Sequence, residues 1–315
     1  MRVFGASVAG LLTVSLMMIG YGHVSVKSPS SGGGRAYATT TAAPAARPVI
    51  AAAATPASAT ARPLIDHKGK IVTNSKTYAI FWGKAADFPA DLRPGVKALL
   101  SGLNQSAYLA TIDQYMRGRT ASTTYVRSFA DISQPPTIDP TPQVVLAEVR
   151  KVLRRAEVRP NPNAVYLVFT SNLPPVDYCA WHASGDIGGV TTQIALVPNT
   201  SGVTNCYVPK DFAGVADYSF GTRSMADNAA HELLEAMTDP VPGTAWVDVN
   251  FEEIGDKCDF VYSSPVALNG TRNVWQLQSQ WSNQASSCVQ VGVVNQIPSW
   301  SKPHRPSHST RASTK

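Results

Sequence analysis

A short stretch near the middle of the chain carries residue types that could bind a metal ion and activate water. It runs Asn228-Ala-Ala-His231-Glu232-Leu-Leu-Glu235. Apolar residues recur at helical spacing through it, so the pattern predicts a helix on which His231 and Glu235 stand one turn apart. Two such side chains can grip one ion, and Glu232 beside them can deprotonate a water molecule. The stretch therefore indicates hydrolytic metal chemistry.

This pattern is His-Glu-x-x-His with its second histidine replaced by Glu235. A carboxylate is an acceptable zinc ligand, but its negative charge makes a bound water a weaker acid. The replacement therefore weakens the peptidase interpretation. Pro240 disfavours helical geometry at Asp239, so we expect the helix to end near Thr238.

A third ligand must come from outside the helix. Glu253 is the first choice, because its distance from His231 resembles that in zincins whose third ligand is a later glutamate. Asp248, His182 and Asp239 are alternates. His182 could equally be a hydrogen-bonded loop residue.

The acidic residues after the motif allow two other interpretations. They are hard oxygen donors suited to calcium, although no regular calcium-loop spacing is present. They could also serve only as turn and capping residues. The residues in question are Asp239, Asp248, Glu253, Asp256 and Asp259.

The formal charge of +6 is unevenly distributed. Nine of the 27 Lys and Arg residues lie in 1–63 and 296–315, which contain no acid, so the body has 18 basic residues against 21 acidic ones. Eleven of those acids lie between Asp211 and Asp259, around the predicted metal helix, and should attract cations. One predicted helix has a basic face, but neither an aromatic platform nor a recognised nucleic-acid motif accompanies it, so we expect no nucleic-acid partner. That face comprises Arg150, Lys151, Arg154, Arg155 and Arg159.

An apolar run in residues 1–23 predicts a signal peptide or, if it is not cleaved, a membrane anchor. We expect membrane association only in the second case. Export would permit disulfides, and four cysteines allow three connectivities. Because neighbours in sequence close short loops, we expect Cys179 to pair with Cys206 and Cys258 with Cys288.

Composition divides the rest of the chain into three parts. Residues 24–63 are rich in Ala, Thr, Pro, Ser and Gly and predict a disordered linker, and residues 296–315 predict a disordered basic tail. Between them, residues 64–295 predict a single globular domain. We therefore expect a secreted, extracellular or cell-envelope protein.

Strands and helices alternate in the domain before the motif, and short strands and loops follow it. Buried strands are predicted at 77–82 and 164–170, and further strands at 123–129 and 191–197. Helices are predicted at 90–102, at 106–116 and from Thr141 onwards. This order predicts an α+β fold with a mixed β-sheet and packed helices. The zincin-like motif helix should pack beneath the sheet, ahead of a loop-rich, disulfide-stapled C-terminal half.

Five spaced stretches carry a resemblance to a known family. They are Tyr78–Gly83, Ser106–Tyr108 with Gln114–Tyr115, Val165–Thr170, Cys179–His182 and His231–Cys258. Together they resemble the phosphate-induced protein 1 family, the EXORDIUM-like secreted proteins, in its microbial branch. The resemblance implies an extracellular or cell-wall protein with a zincin-like core. In plants the family is associated with growth control, but the central region of this chain differs from plant members, so that role is not expected here.

Two functional hypotheses follow. The first is a peptidase-like, zinc-dependent hydrolase acting on a peptide or cell-wall substrate, with His231, Glu235 and Glu253 as ligands and Glu232 as general base. The second is a non-catalytic extracellular or wall-associated binding protein that holds a structural cation such as calcium. The identity of the metal separates them.

Overall fold

A five-stranded β-sheet forms the centre of the chain. The computed structural model describes residues 62–206, 208–209, 218–269 and 274–291. The strands of the described chain are β1 (Ile65–Asp66), β2 (Asn74–Trp82), β3 (Ser122–Asp131), β4 (Ala164–Thr170), β5 (Trp181–Ile187), β6 (Val190–Val197), β7 (Trp246–Val247), β8 (Val266–Ala267), β9 (Val274–Trp275), β10 (Gln280–Ser282) and β11 (Ser287–Val289). The helices are α1 (Leu92–Leu103), α2 (Pro142–Arg155) and α3 (Phe220–Thr238).

The main sheet has the strand order β3-β2-β4-β6-β5. Its first four strands are parallel, and β5 pairs antiparallel with β6 through a tight connection at Gly188 and Gly189. Both glycines have positive φ, as a two-residue hairpin turn requires. The mixed sheet and its packed helices confirm the predicted α+β class.

Helices cover both faces of the sheet. Alternate side chains of β4 divide between two cores: Val165, Leu167 and Phe169 pack with α1 and α3, whereas Tyr166 and Val168 pack with α2. All seven residues of β4 are buried, as expected for a parallel strand covered on both faces. The predicted strand at 164–170 is therefore confirmed, and so is the position of the motif helix against the sheet.

Helix α3 is buried on nearly all sides. Ser219 caps its first turn by accepting a hydrogen bond from the Thr222 amide at 3.3 Å. It ends at Thr238, two residues before Pro240, as predicted. Helix α3 packs against α1 and against β4, β5 and β6 of the sheet, and the segment at Gly255 and Asp256 lies over Glu235. The side chains of His231, Glu232 and Glu235 therefore face a protein interior rather than solvent.

The described chain after α3 consists of short two-stranded pairings and loops, and one disulfide lies within it while the other precedes α3. Cys179 joins Cys206 and Cys258 joins Cys288, which confirms the expected local pairing. Disulfides are typical of proteins outside the reducing cytosol. In the described residues, no helix is both long enough and apolar enough to cross a membrane.

Two local predictions differ from the structure. The helix expected at 106–116 is a shorter 3-10 helix at Leu109–Tyr115, and the Tyr115 hydroxyl donates to the Trp281 carbonyl at 2.8 Å. His182, for which a loop position was one of two alternatives, lies in edge strand β5, where pairing with β6 overrides the weak strand propensity of Gly185 and Asp186. The strand at 191–197 consequently lies inside the sheet.

The predicted signal or anchor segment, nearly all of the predicted linker, and the predicted tail lie outside the described residues.

Candidate metal centre

The motif of helix α3 places three buried functional side chains beside one another. His231, Glu232 and Glu235 are exposed by 6%, 1% and 2% respectively. His231 and Glu235 stand one turn apart as predicted, and His231 Nε2 lies 3.1 Å from Glu235 Oε2.

Two triads of potential metal ligands share Glu235. One contains His231, Glu235 and Asp256, and the other contains His182, Glu235 and Glu253. Within each triad the ligand atoms lie within 4.8 Å of one another. Sequence spacing grouped Glu253 with His231, whereas the structure brings Glu253 closest to His182, with His182 Nε2 at 3.0 Å from Glu253 Oε2.

Strand β5 brings His182 to the site. His182 pairs with Ala195 of β6, and Ala195 packs in the same core as α3. Directly paired residues point to the same face of a sheet, so His182 faces the motif helix. No local sequence pattern near His182 marks it as part of a strand that faces this helix.

The segment after α3 supplies the remaining acids by wrapping over Glu235. Glu235 Oε1 accepts hydrogen bonds from the amides of Gly255 at 3.0 Å and Asp256 at 3.2 Å. A Cβ atom at Gly255 would lie 2.6 Å from His231 Cε1 and 2.9 Å from Glu235 Oε1. Glycine is therefore required here for the segment to approach the helix closely.

Two residues predicted as alternative metal ligands, Asp239 and Asp248, make other contacts in the structure. Asp239 accepts hydrogen bonds from the amides of Thr244 at 3.1 Å and Ala245 at 2.7 Å, which fixes the turn after α3. Asp248 pairs with the buried Lys257 ammonium at 2.8 Å. Both carboxylates therefore hold the backbone that carries the triads.

Burial and mutual charge strongly affect the ionisation of the helix residues. Burial raises the pKa of Glu232 to about 8. Burial alone would also raise the pKa of Glu235, but the nearby His231 lowers it below its ordinary value. Burial alone would lower the pKa of His231, but the charge of Glu235 raises it well above the ordinary value.

The second triad shows the same competition. Burial would lower the pKa of His182, but the adjacent Glu253 carboxylate raises it to about 10. Burial raises the pKa of both Glu253 and Asp256. The protein thus encloses more carboxylates than its two imidazoles can neutralise, and raised carboxyl pKa values are the consequence.

Several polar atoms of the site make no hydrogen bond of good geometry among the described residues. They are His231 Nε2, Asp256 Oδ1 and Glu232 Oε2. His231 Nε2 does lie within ion-pair distance of Glu235 and Asp256, so a protonated ring partly neutralises these two carboxylates. Glu232 has no such partner, and a cation at this place would stabilise all three carboxylates.

A small cavity adjoins the first triad. Its volume is about 20 Å³, and both His231 and Glu232 line it, together with Asp259 and Phe260. Because one water molecule needs roughly 10–15 Å³, the cavity has room for a single water beside Glu232. Burial raises the pKa of Asp259 to about 7.

The residues that support the site were not predicted from the sequence. Gln278 Nε2 lies 3.0 Å from His231 Nδ1, and the Gln278 amide nitrogen of the backbone donates to Asp227 at 2.7 Å. Tyr262 donates to the same Asp227 carboxylate at 2.6 Å. Asp256 was expected either as an oxygen donor for calcium or as a turn or capping residue. These contacts join segments 35 or more residues apart, so no local spacing could reveal them.

The chain matches no protein-family model, and no curated protein matches it.

Proposed function

We propose that this protein is a metal-dependent hydrolase, peptidase-like in its site, in which His231, Glu235 and Asp256 hold the ion. Glu232 is the general base. His182 and Glu253 form the second triad with Glu235. They hold the Glu235 carboxylate in place, and the His182 imidazole offsets part of the negative charge.

One observation carries this proposal: ligand atoms of His231, Glu235 and Asp256, which come from two separate segments, converge within 4.8 Å of one another in the protein interior. The distances from His231 Nε2 are 3.1 Å to Glu235 Oε2 and 3.5 Å to Asp256 Oδ1. Two ligands of one tetrahedral zinc ion at 2.0 Å are about 3.3 Å apart. The side chains therefore match zinc in both donor type and spacing.

A divalent ion held there would act as a Lewis acid and make a nearby water more acidic. Glu232 lines the cavity that has room for that water, and its Oε2 is free to accept a proton. As a base, Glu232 must be deprotonated, so activity should rise with pH through its pKa. A neighbouring cation would lower that pKa from the value of about 8 found without an ion.

Ligand and base roles can be separated by metal analysis of purified variants. His231→Ala and Glu235→Ala should lose the ion, whereas Glu232→Gln should keep it, because the amide preserves the shape but cannot accept a proton. Hydrolysis by Glu232→Gln, measured on peptide and ester libraries, should fall by roughly 10²-fold or more. Equal metal content in wild type and His231→Ala would refute the ligand assignment.

The same measurement addresses the alternative function. Calcium takes six to eight oxygen ligands, whereas the proposed site contributes one imidazole nitrogen, from His231, as well as carboxylates, which favours zinc. Bound metal without any hydrolysis would support a non-catalytic binding protein. Bound calcium would support it further.

We also propose an extracellular or cell-envelope location and a relationship to the phosphate-induced protein 1 family. The two disulfides support the location. The five stretches that resemble the family support the relationship. Detection of the protein in culture medium or in a washed wall fraction, with loss of its first residues, would test the location and signal cleavage together.

A further inference from the structure

The second triad has the same kinds of donor atoms as the first, although the hydrolase roles use it only to support Glu235. It offers one imidazole and two carboxylates, from His182, Glu235 and Glu253. All three residues are buried, with exposed fractions of 5%, 2% and 3% respectively. Zinc accepts imidazole and carboxylate ligands in one site. The second triad is therefore a candidate to hold an ion of its own.

The spacing within the second triad also suits an ion. His182 Nε2 lies 3.0 Å from Glu253 Oε2 and 3.9 Å from Glu235 Oε2. These distances lie on either side of the roughly 3.3 Å expected between two ligands of one tetrahedral zinc ion. The three side chains come from β5, from α3 and from the segment after α3, so the folded chain alone brings them together.

Glu235 belongs to both triads through a single oxygen atom. Its Oε1 accepts hydrogen bonds from the Gly255 and Asp256 amides. Its Oε2 lies 3.1 Å from His231 Nε2 and 3.9 Å from His182 Nε2. The two imidazoles thus approach the same carboxylate oxygen from different parts of the chain. An oxygen in this position can bridge two ions, which in two-metal hydrolases stand about 3.5–4 Å apart.

The combined charge of the two triads and Glu232 exceeds what one ion can balance. The carboxylates of Glu232, Glu235, Glu253 and Asp256 all lie at this site. When they are ionised, as ligands and a base must be, one divalent ion balances half of their charge and two balance all of it. Because uncompensated charge in a protein interior is costly, this donor set favours two ions over one.

One of these carboxylates is close to both imidazoles and has no partner of its own. Glu232 is exposed by 1%, and its Oε2 makes no hydrogen bond among the described residues. Its charge acts on His182 as well as on His231. An unsatisfied buried carboxylate within reach of both triads indicates a positive charge that the described chain does not supply.

We propose that the site binds two zinc ions that share Glu235. His231 and Asp256 are the other protein ligands of the first ion, and His182 and Glu253 are those of the second. The second ion takes the place of the direct contact between His182 and Glu253. This inference rests on the proposed function, because the first ion is the one that the hydrolase requires. Two ions at one site act together as Lewis acids.

The zinc content of matched variants tests the assignment. Purified protein is loaded with zinc, dialysed and analysed for zinc per chain. The wild type should retain two ions and Glu253→Gln one, because the amide keeps the shape of the side chain but removes an anionic ligand. Glu148→Gln makes the same change at a buried glutamate on the α2 face and should retain two. Two ions in Glu253→Gln would overturn the proposal.

The same measurement separates this inference from the proposed function. A single ion in the wild type that is retained in Glu253→Gln and lost in His231→Ala would overturn the second site. It would leave the hydrolase proposal standing. A wild type that binds no zinc would overturn both.

X-ray absorption by the zinc-loaded wild type tests the shared ligand without any substitution. Ions bridged by Glu235 should give a zinc-to-zinc distance of about 3.5–4 Å. A sample with two zinc ions per chain and no such distance would place the second ion elsewhere, and this result would overturn the proposal.

Discussion

Two clusters of buried acids lie on opposite faces of the sheet and are neutralised in different ways. On the α2 face, Lys151 lies 3.2 Å from Asp131 and also pairs with Glu148, and Arg155 reaches Asp131 at 3.0 Å. The two acids on this face thus form ion pairs with two cations. On the α3 face, the site carboxylates that form ion pairs do so only with His182 and His231 in the described part of the chain.

The pKa values express this difference. Burial alone would raise the pKa of Asp131, but hydrogen bonds from Ser133 and the charge of Lys151 lower it below its ordinary value. On the α3 face, burial raises the pKa values of Glu232, Glu253 and Asp256 instead. On the α2 face, burial also raises the pKa of Glu148, but this carboxylate pairs with Lys151. The two acids of the first cluster are thus matched by two cations, whereas the acids of the second cluster outnumber its two histidines. We infer that one is structural and the other is built to take a cation.

The largest expected difference between the clusters is the response to metal removal. A chelator should lower the melting temperature, because a ligand present at a thousandfold excess over its Kd stabilises a protein by about 4 kcal/mol. The measurement is thermal unfolding with zinc and with chelator. His231→Ala should abolish the response, and Asp131→Asn should retain it. An identical melting temperature for wild type with zinc and with chelator would contradict the distinction between the clusters.

A smaller effect is expected from filling the space at Gly255. A methyl group there would collide with His231 and Glu235, so Gly255→Ala should lower the free energy of unfolding by about 1–3 kcal/mol and reduce metal content. Gly202→Ala is the matched control, because no atom lies within 4 Å of its added Cβ and its φ is not strained. Denaturant unfolding and metal analysis of both variants test this. Equal stability of the two variants would contradict the close approach of the backbone at Gly255 to His231 and Glu235.

The metal-free protein should lose stability as pH rises. Glu232 has a pKa of about 8 in the folded chain against an ordinary glutamate value of 4.5, so the folded state binds a proton that the unfolded state releases between these values. Its contribution is complete below the lower value and is lost as pH rises through the higher one. Unfolding free energies measured between these pH values should therefore fall in metal-free protein. Glu232→Gln should flatten the profile, and a profile unchanged by that substitution would contradict the assignment.

The smallest expected effect has the opposite sign and belongs to the α2 face. Asp131 has a folded pKa below its ordinary value, so its contribution is present at neutral pH and is lost as pH falls through the folded pKa. Acid unfolding of Asp131→Asn should therefore start from a lower stability and depend less on pH than that of the wild type. Metal content should stay unchanged. A loss of metal in this variant would show that the clusters are coupled.

Much of the main sheet could be predicted from local patterns. The continuous apolar runs that form β2 and β4 are long and flanked by turn residues, which is why their assignments agree with the structure. The strand β5 escaped prediction because Trp181 to Ile187 contains Gly185, Ser184 and Asp186, residues that disfavour isolated strands. Its extended conformation depends on pairing with β6.

The residues of the candidate site also divide into those that local patterns predict and those that only tertiary contacts place. His231, Glu232 and Glu235 could be found because a helix converts sequence spacing directly into a shared face. Asp256 could be named as an oxygen donor, but its place beside His231 depends on the close approach allowed by Gly255. The pairing of Glu253 with His182 could not be derived from spacing, because it joins residues 71 positions apart.

The sequence by itself determined the elements whose formation depends on nearby residues: the end of α3 before Pro240, the buried strands, and the local disulfide loops. Only the tertiary structure decided which acids meet which histidines and which side of the motif helix is sealed from water. The physical reason is that helical and strand periodicities act over a few residues. Burial, desolvation and hydrogen bonding at Gln278 arise instead from segments that become neighbours only when the chain folds.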